Sequence, residues 1–246
     1  MTRTMPVDPS TRWTKVALTE PSTSGYVHFA VSAAGWPIPL ALPSRTRRAV
    51  RRRMHVLAAA TRARNDVLEA TVFTALVRPP GGRDAAADVT YDLVLLVETR
   101  TVDAARELLA SDLWTQHAQP VVAASRDHLQ FVATNARRIA PVDHSRRGVF
   151  LFNYFSAPTV EANLHAWQYT AGWFQDQTGL DNSTVLQPVE SSDTPFSLVN
   201  HCRWDHLVDV MPDLMFKPSF ESFVLRVFED NGVAPRPLLF RISRRR

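Results

Sequence analysis

The chain has 246 residues, a formal net charge of +4, 45% hydrophobic and 21% charged residues, the balance of a soluble globular protein with room for one large or two ordinary domains. No apolar run approaches the ~18 residues of a membrane span, and the opening MTRTMPVDPSTRWTK lacks the apolar centre of a secretory signal, so a cytoplasmic location is expected. One cysteine, Cys202, excludes an internal disulfide and any multi-cysteine metal site.

Residues 1–13 read as a flexible tail. GYVHFAVSA, Gly25 to Ala33, is a strand, and residues 34–43 form an irregular insertion before a helix in RTRRAVRRRMHVLAAATRAR. That helix turns Val50, Met54, Leu57 and Thr61 to one side, which leaves its arginines a solvated outer face. DVLEATVFTALV and YDLVLLVET are strands on either side of the loop RPPGGRDAAADVT. VDAARELLASDLW and PVVAASRD give helix, break and helix, with Pro120 opening the last piece, and HLQFVATNARRI is a closing strand. Glu69, Glu98 and His28 fall where they could share one sheet face as a polar patch.

After the boundary APVDHSRR, residues 140–147, the same order returns. GVFLFNYFSA is a dense apolar strand, Pro158 opens a helix, and Val160, Leu164, Trp167, Ala171 and Phe174 form its apolar stripe. Gly179 is placed to end that helix in the left-handed conformation, with Leu180 packing back on it. STVLQPV and Phe196 to Trp204 are strands, and Asp205 is a candidate N-cap for a short helix ending near Met211. Pro218 and Ser219 open a helix that Asn231-Gly232 closes, and RPLLFRI is the last strand. The order is β-α-β-β-α-β twice. The fold class expected is α+β, with a first domain over 14–142 and a second over 143–246.

With VFLFNYFSA, the helix carrying Trp167, the exit TGLDNSTVLQP and RWDHLVDVMPDLMFKPSF in that order, residues 148–242 resemble the dimeric α/β-barrel superfamily. That group includes antibiotic-biosynthesis-monooxygenase-like and stress-responsive A/B-barrel proteins. Over residues 25–140 the likeness is one of topology. The resemblance implies two tandem ferredoxin-like halves closing one barrel within the chain, as a monomer or homodimer. It also implies a place among cofactor-independent oxygenases, polyketide cyclases, heme-binding proteins and proteins without known activity. Fold does not choose among these.

Alternation along Phe196–Trp204 puts Ser197, Val199, His201 and Arg203 on the more polar face, assigned to the barrel interior. Asn153 or Tyr154 and Arg241 could join them. His201 would then be a base and Arg203 the stabiliser of a phenolate or enolate, with Asn153, Tyr154 and Arg241 binding an aromatic, polyketide-like substrate. The plain alternative makes them ordinary polar residues near a strand end. An enclosed cavity lined by His201 and Arg203 would favour the enzyme, and a barrel filled with aromatic side chains would sink both the enzyme and the heme readings and leave a structural or interaction role.

No cofactor is expected on the leading reading. Heme-binding relatives with tandem halves carry an iron-ligating histidine on the helix that corresponds to Val160–Thr178, which makes His165 a candidate heme ligand. The other alternative is a non-catalytic ligand-binding or stress-associated protein. HCRWDH is rejected as a metal site because adjacent strand residues point to opposite faces. The run RTRRAVRRR lacks the aromatic interleaving of single-strand binding, so nucleic acid is not the expected partner; nor is a membrane.

Overall fold

A computed structural model describes residues 13–34, 40, 44–79, 90–189 and 194–244. The tail expected over 1–13 lies outside the described residues except for Trp13, and so does most of the insertion at 34–43 and of the loop before Tyr91.

Eight strands are present: β1 (Gly25–Ser32), β2 (Val67–Val77), β3 (Leu93–Thr99), β4 (Asp127–Arg138), β5 (Val149–Ser156), β6 (Thr184–Pro188), β7 (Leu198–Trp204) and β8 (Ala234–Ile242). They close into one barrel in the order β1-β3-β2-β8-β5-β7-β6-β4, and every neighbouring pair is antiparallel. β4, β1, β3 and β2 are contiguous, as are β8, β5, β7 and β6. Two seams join these sets, β2 with β8 and β4 with β6.

Alternation then sorts the side chains. Tyr26, Phe73, Val94, Phe131, Phe150, Phe152, Tyr154, Val199 and Phe240 fill the barrel. The outward residues of β1 to β3, such as Val27, Val72 and Leu95, pack under α1 (Arg45–Arg62), α2 (Val102–Ala110) and α3 (Asp112–Val122). Those of β5, β7 and β8, such as Leu151, Cys202 and Leu239, pack under α4 (Val160–Thr178), α5 (Met211–Phe216), a π-helical turn (Phe220–Leu225) and α6 (Arg226–Asp230).

Local chemistry explains the element ends. Ser44, Thr101, Ser111 and Thr159 N-cap α1 to α4 through their hydroxyls. The break between α2 and α3 therefore falls at Ser111, not at the expected Pro120, which lies inside α3. Gly179 ends α4 at φ 67°, and the Leu180 amide returns to the Phe174 carbonyl. The exit TGLDNS also carries a device that the alternation of apolar residues does not reveal. Asn182 accepts from the Arg203 amide and donates to the Arg203 carbonyl, both at 2.9 Å, so its side chain acts as a strand partner for β7. Asp205 caps nothing; His206 holds the N-cap position of the short 3-10 turn that follows. The helix opens at Pro218 and Ser219 as expected, passes into the π turn at Phe220 and ends at Asn231-Gly232, where Gly232 has φ 64°.

Residues 13–19 lie across α4, where the Val16 amide donates to the Gln168 carbonyl and Trp13 Nε1 to Asp176. The close approach is made at Gly172, where a Cβ would sit 1.9 Å from the Thr14 carbonyl oxygen. Gly172→Ala is expected to lift this strap at a cost of about 1–3 kcal/mol without opening the barrel. Faster tryptic cleavage at Lys15, with an unchanged far-ultraviolet circular dichroism spectrum, would show it.

Candidate functional site at the barrel mouth

The interior near His201 is filled by rings. His201 stacks on Phe152 with centroids 4.2 Å apart, and Phe73 meets Phe150, Phe152 and His201 edge-on at 5.1–5.4 Å. Deeper in, His28 stacks on Phe131 at 5.0 Å, and its Nε2 lies 3.1 Å from the Tyr154 hydroxyl. Burial lowers the His28 pKa to about 3 and drives that of His201 well below 6.5, because the charged form loses its water. Both rings are therefore neutral at pH 7.

At the end where β2 and β5 begin, the loop from β4 to β5 crosses the opening and sets His144 against Phe73 and Phe150. His144 Nδ1 is 3.0 Å from Glu69 Oε2, and its Nε2 is 2.8 Å from His201 Nε2. His201 Nδ1 is 3.0 Å from the Leu151 carbonyl oxygen. A carbonyl only accepts, so His201 Nδ1 carries a proton and its bare Nε2 accepts from His144. The Glu69–His144 contact needs one proton more, beyond the two that neutral imidazoles bring. A proton placed there makes the contact an imidazolium–carboxylate pair. Burial alone would raise the Glu69 pKa, but the bond and charge of His144, aided by Thr71 and Arg62, bring it below the ordinary value. Glu98 stands opposite Glu69 on β3 and accepts from the Tyr26 hydroxyl at 3.2 Å. The patch expected from Glu69, Glu98 and His28 thus lies on the inner face of the barrel, with His28 deeper than the two carboxylates.

His144 also lines a cleft of ≈890 Å³ on the β2–β8 seam. Ser44, Arg47, Arg48 and Arg51 of the α1 end, Thr74 of β2, Arg146 and Arg147 of the loop, and Arg241 and Arg244 of the β8 end also line it, and among the described residues no carboxylate does. Arg47 is buried and paired with buried Asp92 at 3.4 Å, and Arg48 and Arg51 face the cleft. Of the α1 arginines expected on a solvated outer face, Arg45, Arg48, Arg52 and Arg53 are exposed and Arg51 is half-buried, while Arg47 is buried.

The structure separates the residues expected to form one site. His201 and Tyr154 do point inward, but His201 is 1% exposed and both its nitrogens are engaged; His144 is the ring that meets the cleft. Arg203 is inward and held by Asp205 and the Arg147 carbonyl. Asn153 points to the outer layer, where it borders a small apolar cavity of ≈30 Å³ with its Oδ1 unpartnered. Arg241 is outward, in the cleft. Phe196 faces the interior and Ser197 faces α4, the reverse of the expected alternation, because β7 begins only at Leu198. His165 lies beside Tyr169, on α4, with Lys15 near enough to add to the lowering of its pKa by burial. Two small cavities of ≈20 and ≈30 Å³ border α4 at Phe174 and are not lined by His165, whose Nδ1 is buried without a hydrogen-bond partner. Cys202 and His201 face opposite sides of β7. His144 escaped the sequence reading because it sits in a loop, where periodicity says nothing.

No protein-family model matches the chain, and no curated protein is similar to it in sequence. Solved structures are similar in fold. An anthrone oxidase-like protein superposes with a TM-score of 0.67 at 12% identity, covering 93% of this chain and 94% of that one. A putative monooxygenase from Fusobacterium nucleatum gives 0.53 at 5% identity over 91% and 94%. A putative chlorite dismutase gives 0.48 at 10% identity over 91% and 96%. The likeness at these identities is one of fold. Among the described residues no helix is long and apolar enough to cross a membrane.

The two neutral histidines set an acid limit on stability. Their folded pKa values are depressed, so their contribution is complete above the unfolded value of 6.5 and is lost as pH falls below it, for His28 down to about 3. Each adds a slope of about 1.4 kcal/mol per pH unit in that window. His28→Leu is expected to flatten the fall of the urea midpoint between about pH 6 and pH 4 by one proton's worth, even if it lowers stability at neutrality. An unchanged slope would show that His28 is protonated in the fold.

Proposed function

We propose that the protein binds an acidic aromatic or polyketide-like small molecule in the cleft and moves a proton between that molecule and the Glu69–His144–His201 chain. The observation that carries this reading is the geometry at His144, which lies 3.0 Å from half-exposed Glu69 and 2.8 Å from His201 and lines a cleft rich in arginine. A phenol or enol placed there would ionise more easily, because the arginines stabilise the anion. Both His144 nitrogens are engaged, so the proton would enter or leave through half-exposed Glu69, with His144 and His201 its positioning partners and Arg241 a substrate-binding residue. Arg203 would act through the loop whose Arg147 carbonyl it holds.

The fold shared with proteins named as anthrone oxidase-like and as a putative monooxygenase supports an oxidative outcome, which we propose runs without a cofactor. In that outcome the carbanion left by proton removal adds to dioxygen, and the resulting hydroperoxide loses water to give a carbonyl. A CH₂ group and one O₂ then become one C=O and one water. We also read the chain as two tandem ferredoxin-like halves, residues 14–142 and 143–246. The support is that strands β1–β4 and β5–β8 repeat one element order and one neighbour order. A monomer would suffice, since one chain completes the barrel.

A coloured phenol tests the proposal. Para-nitrophenol is expected to bind with its apparent pKa lowered by about one unit, a stabilisation of about 1.4 kcal/mol. Arg241→Ala, which removes a cleft guanidinium, should abolish most of that shift. A dye that fails to bind, or an equal shift in the variant, would refute the assignment.

A further inference from the structure

The cleft holds more positive charge than a single phenolate needs. Arg48, Arg51, Arg147, Arg241 and Arg244 line it with no carboxylate partner among the described residues, and they reach it from helix α1, the β4–β5 loop and the end of β8. Like charges so gathered repel one another, and the chain has 24 acidic residues to set against 28 basic ones. Among the described residues, carboxylates neutralise Arg47 and Arg146 at this surface but none pairs with these five.

A second observation points inward. Thr74 is 8% exposed, its hydroxyl has no hydrogen-bond partner, and it lines the cleft directly across the β2–β8 seam from Arg241. A buried hydroxyl without a partner costs free energy unless a ligand supplies one. The capped N-terminus of α1 at Ser44 meets the same space and has no acidic residue in its first turn, so its positive dipole end is also left for an anion. Ala75, Leu76 and Ile242 add an apolar strip. The volume, ≈890 Å³, suits one small molecule rather than a polymer.

From these features we infer that the cleft is a binding site for a small organic polyanion carrying a diphosphate, with Arg48 and Arg51 on one side, Arg241 and Arg244 on the other, and Thr74 donating to a phosphate oxygen between them. Guanidinium forks match phosphate oxygens in pairs, and several forks call for more than one phosphate. The apolar strip takes the organic portion. This site adjoins the His144 chain but does not depend on proton transfer there.

Calorimetric titration of the full chain with inorganic pyrophosphate, and then with a nucleoside diphosphate, tests the inference. Pyrophosphate is expected to bind, with the nucleoside diphosphate at least as tight and orthophosphate about tenfold weaker or more. Arg48→Ala with Arg241→Ala should weaken pyrophosphate about tenfold or more, and Thr74→Val by a few-fold. Arg45→Ala with Arg53→Ala, which removes the same charge from α1 positions outside the cleft, should leave binding unchanged. Equal losses in the two double variants would reduce the effect to net charge and overturn the site. So would an oligonucleotide that binds where pyrophosphate does not. The phenol and pyrophosphate titrations separate the two proposals. Retained pyrophosphate binding with no phenol shift in the wild type would sink the proton-transfer reading alone, and a phenol shift without pyrophosphate binding would sink this one alone.

Discussion

Closure of the barrel by a single chain is the constraint on which the rest depends. Eight antiparallel strands leave no free edge, so each strand gives one face to the helices and the other to an enclosed interior. That interior must be filled or it stands as a void. Here rings fill it, and the apolar surroundings hold His28 and His201 neutral. Closure also dictates the path of the chain. β4 ends and β5 begins at the same end of the barrel, so the loop between them must cross the opening, and it brings His144 over Glu69 and His201.

The functional surface follows from the change in dielectric along this path. Deep inside, burial holds His28 and His201 neutral, while the charged groups of the inner face, Glu69, Glu98 and Arg203, stand towards the mouth. Just outside, the β2–β8 seam joins residues far apart in sequence, Thr74 and Arg241. The arginines of the α1 end and of the loop converge on it. A neutral, ring-packed centre and a cationic rim are thus two consequences of one closed sheet. The same closure explains why His201 does not meet a ligand directly: its place in the stack with Phe152 leaves no room.

Most of the fold was legible because its signals are periodic. The strand GVFLFNYFSA, the helix that Gly179 ends and the repeated order of elements follow from spacing and capping chemistry, as does the inward direction of His201 and Arg203. What was not legible depends on contacts between distant segments. Asn182 as a side-chain strand partner, Gly172 under the strap and His144 over the mouth belong to loops or to close approaches, which no period describes. Asn153 and Tyr154 could not be told apart until neighbouring strands fixed the register of β5. The arginine run was read as solvated because a helix shows its own apolar face in sequence, but not the cleft that its other side borders.

The account rests on where three protons sit in the chain from Glu69 to the Leu151 carbonyl. Long-range proton–nitrogen correlation NMR of the histidine rings at neutral pH reads this directly. The expected spectrum has His201 neutral with its proton on Nδ1, and His144 with both nitrogens protonated. A His144 ring with one bare nitrogen, or a His201 ring protonated on Nε2, would contradict the shared-proton chain and with it the acid–base role assigned to the barrel mouth.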